Sequence, residues 1–179
     1  MRNFKNLTNI VLIGFMGTGK TSVGRRLAQQ LDMDFVDSDT ELELLMGMSV
    51  AEIFAKYGEI RFRSEESLVI MKVARRSRTV ISTGGGAVLN PDNLNELRKK
   101  GVLITLEATP ETISVRTMRK ETRPLLKKDN SPSAIRKILA ERDFAYRQGD
   151  IKIDTSEITP ERVVELIVQL LEERGYGDG

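Results

Sequence analysis

The chain of 179 residues contains no cysteine and no histidine. Without cysteine there is no disulfide, no thiolate nucleophile and no Cys-ligated zinc. Without histidine the commonest general base and the commonest metal ligand are both missing. Any catalysis must rest on Asp, Glu, Lys, Arg, hydroxyls, backbone amides and a hard cation held by oxygen. Long apolar runs are lacking too. Nothing is continuous enough to span a bilayer, and residues 1–6 lead towards the first apolar run without a cleavable signal pattern. The net charge of +2 is too small to argue for nucleic acid or an anionic membrane as partner. These absences set the expectation of a cytoplasmic protein with no nucleic-acid or membrane partner and with a monomer as the default. A composition 40% hydrophobic and 30% charged fits a single globular domain over residues 1–179.

What is present begins with Gly14-Phe15-Met16-Gly17-Thr18-Gly19-Lys20-Thr21, a complete GxxxxGK[ST] string. It follows the apolar run at 9–13 and opens a helical pattern at 22–31. Strand, glycine-rich turn and helix together make a nest of backbone N–H groups facing a helix N-terminus, where phosphate oxygens settle. Gly14, Gly17, Thr18, Gly19, Lys20, Thr21 and Ser22 are the expected nucleotide contacts. Lys20 can reach the β- and γ-phosphates, and the Thr21 hydroxyl can ligate Mg²⁺.

Short apolar runs alternate with helical patterns, as a wound parallel sheet requires. Strands are expected near 10–13, 34–36, 79–82, 102–106 and 151–153. Helices are expected near 20–31, 39–46, 50–56, 60–76, 92–99, 110–119, 132–148 and 160–173. The fold class is therefore α/β, three αβα layers around a five-stranded parallel sheet. The stretch 120–132 is polar and lacks periodicity. It reads as the centre of a mobile lid spanning about 117–131.

Three constellations lie beyond the phosphate loop. Val36-Asp37-Ser38-Asp39 follows the second strand, and residues two apart on a strand share a face. One carboxylate can serve a cation and the other a substrate hydroxyl. The alternative, that Asp37 or Ser38 only caps the next helix, stays open. The third strand ends without a Walker-B acid, which makes Asp37 the obvious carboxylate for the metal. Gly84-Gly85-Gly86 follows that strand directly, and three glycines suit close approach of a ligand to bare backbone. Arginines complete the set: Arg63 with Glu66 at i+3, Arg123 in the lid segment, and Arg142 on the helix after it. The sequence does not show that these groups converge.

In order along the chain, GxxGxGKT at 14–21, DxD at 37–39, FRxxE at 62–66, GGG at 84–86, RPLL at 123–126 and RxxxY at 142–146 resemble the shikimate kinases, within the nucleoside-monophosphate-kinase-like P-loop kinases. The resemblance implies ATP- and Mg²⁺-dependent phosphorylation of the 3-hydroxyl of shikimate, on the route to chorismate, with one Mg²⁺ per subunit. By position it implies Lys20, Asp39 and Arg123 as catalytic residues and Thr21 with Asp37 at the metal, Asp37 acting through water. It puts Arg116 and Arg123 on the nucleotide, with Arg116 stacked on adenine. Asp39, Arg63, Gly84, Gly85, Gly86 and Arg142 would bind shikimate. One departure stands out: Ser156-Glu157 follows Asp154-Thr155 where the family often has a basic or amide residue. Two rivals remain. A gluconate or nucleotide kinase of this fold would not be expected to carry DxD, GGG and both arginines together. A GTP-dependent switch needs Asn-Lys-x-Asp, and Ile151 in Ile151-Lys152-Ile153-Asp154 supplies no amide.

Overall fold

A computed structural model of the chain describes residues 9–118 and 129–176. Its elements, in order, are β1 (Asn9–Ile13), α1 (Lys20–Leu31), β2 (Asp34–Asp37), α2 (Ser38–Met46), α3 (Val50–Ala74), β3 (Thr79–Ser82), a 3₁₀ turn (Ala87–Leu89), α4 (Pro91–Arg98), β4 (Gly101–Glu107), α5 (Pro110–Thr117), α6 (Pro132–Tyr146), β5 (Ile151–Asp154) and α7 (Pro160–Glu173).

The strands form one parallel sheet in the order β2-β3-β1-β4-β5. Every residue of β1 is buried, which is why its sequence runs apolar without alternation. On one face α1 and α7 pack Val23, Leu27, Val163, Val164 and Ile167 against Ile10, Leu12 and Ile104. On the other, α3 to α6 bring Val69, Ile70, Leu97, Ile113 and Ile135 against Val11, Ile13 and Leu103. Burying such an aliphatic side chain stabilises the fold by about 1.5–3 kcal/mol each. The three-layer αβα expectation therefore holds.

Local signals place the helix starts. In α4, α5, α6 and α7 a capping side chain (Asn90, Thr109, Ser131, Thr159) precedes a proline at the first helical position, where a missing N–H does no harm. Ser49 and Glu52 form a reciprocal capping box on α3. The break expected between 56 and 60 is a kink at Gly58 (φ 77°, ψ 177°) inside α3, so two helical patterns join as one bent element. The 3₁₀ turn was not anticipated; three residues carry no readable period.

The direction of winding reverses at β1. The connection after β1 leads to β2 on one side, and the one after β3 leads to β4 on the other. In such sheets the crevice beyond the strands' carboxyl ends collects the ligand. The phosphate loop leaves β1 and the glycine triplet leaves β3, and these strands are paired neighbours.

Candidate active site

The phosphate loop is built mainly from backbone. Gly14, Gly17 and Gly19 take φ of 133°, 80° and 96°, which turn the chain tightly around a central hollow. The Thr18 hydroxyl donates to the Phe15 carbonyl (2.8 Å) and stays buried. Lys20 Nζ donates to the carbonyls of Gly14 (2.7 Å) and Phe15 (2.8 Å), which hold the ammonium over the loop.

Asp37 joins this loop to α2. Its Oδ2 accepts from Thr21 Oγ1 at 2.8 Å, while Oδ1 accepts from the backbone N–H of Asp39 (3.1 Å) and Thr40 (3.4 Å). Asp37 therefore caps the helix, the alternative the sequence left open, and also faces the phosphate loop through Thr21. Strand periodicity is not what brings Asp37 and Asp39 together. Asp37 ends β2 and Asp39 lies in the first turn of α2, so the strand-to-helix turn delivers them to one side.

Two hollows meet at these acids. The first, about 190 Å³, is lined by Gly17, Lys20, Ser22, Thr83 and Arg116 among others. The second, about 420 Å³, is lined by Glu43, Phe54, Phe62, Arg63, Glu66 and Gly86 among others. Thr21, Asp37, Asp39 and Gly85 line both. The groove over the phosphate loop thus opens directly onto a second hollow lined by charged and aromatic side chains.

Close approach of the protein's own charged side chains explains Gly84 and Gly86, whereas a Cβ on Gly85 would meet nothing nearer than 3.4 Å. A Cβ on Gly84 would sit 2.4 Å from Asp39 Oδ1 and 3.1 Å from Glu66 Oε1. On Gly86 it would sit 2.6 Å from Arg63 Nη1. Any side chain there would displace the charged groups that line the second hollow.

Arg63 Nη1 bonds Glu66 Oε2 at 2.8 Å, the i+3 pairing read from the sequence. Burial raises the Glu66 pKa above its ordinary value, although the guanidinium groups of Arg63 and Arg142 pull it down. Arg142 reaches the same centre from α6, its guanidinium carbon 5.8 Å from the Phe15 ring centroid. Among the described residues its buried Nη1 has no hydrogen-bond acceptor, while the same guanidinium acts on Glu66 and Tyr146. Arg63 Nε also meets Glu59 Oε1 at 3.5 Å, so the guanidiniums of Arg63 and Arg142 and the carboxylates of Glu59 and Glu66 form one charged cluster beside the hollow.

Arg116 leaves α5 for the loop. It donates to Thr155 Oγ1 (3.0 Å), to the Thr155 carbonyl (2.7 Å) and to the Gly17 carbonyl (3.3 Å). It thereby ties the phosphate loop to the turn after β5. Ser156 in that turn donates to Asp154 Oδ1 (2.5 Å) and accepts from the Thr109 N–H (2.9 Å). The expected lid at 117–131 has fixed stems: Thr117 closes α5, and Asn130 bonds the Ser114 carbonyl and the Thr117 hydroxyl. Arg123 and residues 119–128 lie outside the described residues.

Several lining residues were not singled out from sequence. Thr83, whose hydroxyl bonds the Leu12 carbonyl, was discoverable only as the residue before the triplet. Phe54, its ring tilted 31° to that of Phe62 with centroids 4.2 Å apart, walls the second hollow and carries no signal in the sequence, whereas Phe62 enters there only as the first residue of FRxxE.

The family model for shikimate kinase matches residues 16–172. The chain belongs to the shikimate kinase family. Shikimate kinase of Pelotomaculum thermopropionicum is 49% identical over 170 residues, spanning 95% of this chain and 99% of that one. That of Desulforudis audaxviator is 49% identical over 170 residues, spanning 95% and 89% respectively. Among solved structures, shikimate kinase from Acinetobacter baumannii in complex with shikimate superposes with a TM-score of 0.91 at 37% identity over 96% of each chain. A gluconokinase from Sinorhizobium meliloti reaches a TM-score of only 0.60 at 17% identity over 98% of each chain, a likeness of fold alone. The shikimate kinase resemblance read from the motifs is thereby confirmed.

Proposed function

We propose that this chain transfers the γ-phosphoryl group of ATP to the 3-hydroxyl of shikimate, giving shikimate 3-phosphate and ADP. One observation carries the placement of reactants: the loop hollow and the polar hollow share Thr21, Asp37, Asp39 and Gly85. A γ-phosphoryl seated over Lys20 would then face a hydroxyl beside Asp39, the alignment that in-line transfer needs.

Each residue has a physical task in this reading. Loop amides of 14–19 with Lys20 and Ser22 cradle the phosphates, and Arg116 flanks the base. Arg123 enters from the sequence alone, as a charge placed over the transferring group. Arg63 and Arg142 pair with the substrate carboxylate, a planar match for two guanidiniums. Asp39 accepts a hydrogen bond from the reacting hydroxyl, orienting its lone pair, and takes its proton as the new P–O bond forms. Gly85, with Gly84 and Gly86 beside it, offers a backbone N–H to a substrate oxygen.

The oxygen donors fit one Mg²⁺. Thr21 Oγ1 and Asp37 Oδ2 stand 2.8 Å apart at the loop rim, and magnesium favours one or two protein oxygens plus water and phosphate. Thr21 and Asp37 would hold it, Asp37 through water, and the bound ion supplies neutralisation of phosphate charge. The enzyme works in this reading as one cytoplasmic domain; among the described residues no helix is long and apolar enough to cross a membrane.

ADP release with ATP and Mg²⁺, measured with and without shikimate, tests the proposal. Turnover should depend on shikimate. Preferential phosphorylation of gluconate or a nucleoside monophosphate would overturn it, as would preference for GTP over ATP.

A further inference from the structure

Two residues that the mechanism does not use hold the glycine triplet from opposite sides. Ser38, the middle residue of DxD, is 2% exposed, and its Oγ accepts from the Gly84 N–H at 2.9 Å. Tyr146 is 6% exposed, and its hydroxyl donates to the Gly85 carbonyl at 2.6 Å. Tyr146 is itself anchored, because its own carbonyl accepts from Thr105 Oγ1 on β4 at 2.8 Å. Burial raises the Tyr146 pKa, with Arg142 opposing, so the phenol remains a donor at neutral pH.

The triplet's other carbonyls are taken as well. Gly84 O accepts from the Ala87 N–H (3.2 Å) and Gly86 O from the Leu89 N–H (3.1 Å). The N–H groups of Gly85 and Gly86 have no protein acceptor among the described residues. A trans peptide is planar, with its C=O and N–H pointing opposite ways. Tyr146, by pinning Gly85 O, therefore aims the Gly86 N–H; the Ala87 N–H, by pinning Gly84 O, aims the Gly85 N–H; and Ser38 fixes the peptide before these, Thr83–Gly84, from which the triplet sets out. Gly85 and Gly86 both line the polar hollow. A carbonyl that accepts a hydrogen bond also polarises its own peptide and sharpens that N–H as a donor.

We propose that Ser38 and Tyr146 are positioning residues: together they clamp the triplet so that the Gly85 and Gly86 amides point at the acid substrate. Neither touches the substrate. Their placement also couples its two grips, since Tyr146 follows Arg142 by one helical turn on α6 and Ser38 precedes Asp39 on α2. This inference rests on the functional reading above for the identity of the substrate.

The test uses the full-length enzyme with Tyr146→Phe, Ser38→Ala, Ser38→Thr and the double variant Ser38→Ala/Tyr146→Phe. Each hydrogen bond lost should raise KM for shikimate about fivefold, the effect of one neutral bond. KM for ATP should stay within about twofold, and Ser38→Thr should restore the wild-type value. Because both residues hold one loop, the double variant should lose less than the product of the single losses. Amide exchange gives a readout without turnover: the Gly84 N–H should exchange faster in Ser38→Ala and be unaltered in Ser38→Thr. Equal increases in both KM values, unchanged KM for shikimate, or unchanged Gly84 exchange would overturn the clamp. If Ser38→Ala failed to fold, Tyr146→Phe would decide alone. Were the wild-type enzyme inactive on shikimate, the functional reading would fall while exchange still judged the clamp.

Discussion

The phosphate loop and the acid hollow are neighbours built on opposite plans. The loop is one contiguous string, held by positive-φ glycines and by Lys20 folded over its own carbonyls. The hollow draws on α1, β2, α2, α3 and the turn after β3, with Arg142 of α6 acting on its Glu66, and no two of its charged groups stand in an unbroken run. In the loop, backbone amides do the binding, so the requirement on sequence is local. In the hollow, side-chain charge does it, so the requirement is that distant helices dock correctly. In the proposed reading the loop serves the nucleotide and the hollow selects the alcohol to be phosphorylated.

Removing the group at their junction should have the largest effect. Asp39→Asn is expected to lower kcat about 10²–10⁴-fold, the usual range for losing a general base, with KM for ATP little changed. Coupled ADP-release kinetics measure this, and nearly intact turnover would show that Asp39 does not have the role assigned here.

Next in size, Arg142→Ala should cut kcat/KM for shikimate about 10–100-fold, as for loss of one charged hydrogen bond. The loop should be indifferent, so ATP affinity measured by titration stays constant. If ATP binding falls in parallel, the two regions are not separable.

Glu66 sharpens the contrast through pH. Its folded pKa lies above the ordinary 4.5 because the side chain is buried. As pH falls, Glu66 takes its proton sooner than an exposed glutamate would, and Arg63 loses its ionic partner. KM for shikimate should therefore climb on the acid limb before KM for ATP does, and Glu66→Gln should flatten that limb. Stability runs the opposite way. The folded chain holds this proton more tightly than the unfolded chain, so the contribution is full below 4.5 and is lost as pH rises through the elevated value. Thermal unfolding of Glu66→Gln against pH would reveal a missing slope.

The smallest effect belongs to the loop's outer brace. Arg116→Ala removes bonds to Thr155 and Gly17 at an exposed position. KM for ATP should rise a few-fold, about 1 kcal/mol, and KM for shikimate should not move. Isothermal titration with each substrate separates the two.

Most of the sheet was readable because continuous apolar runs need burial on both faces, and the β1 and β3 runs fell within a residue of their observed bounds. Helix starts were readable from a capping residue followed by proline. The direction of Arg116 was not, because its partners lie 39 and 99 positions away. The pleat rationale for Asp37 and Asp39 failed, since the strand stops at Asp37 and a helix begins.

By itself the sequence determined what depends on neighbours in the chain: the phosphate loop, the caps, the Arg63–Glu66 pair on one helix face, and the family to which their order belongs. Tertiary structure alone decided that Arg142 meets Glu66, that Ser38 and Tyr146 grip one glycine turn, and that Asp37 serves both a helix and Thr21. Short-range geometry follows from dihedral preference and helical pitch. Long-range geometry follows from how two buried helical layers settle on a twisted sheet, and no local pattern encodes that settling.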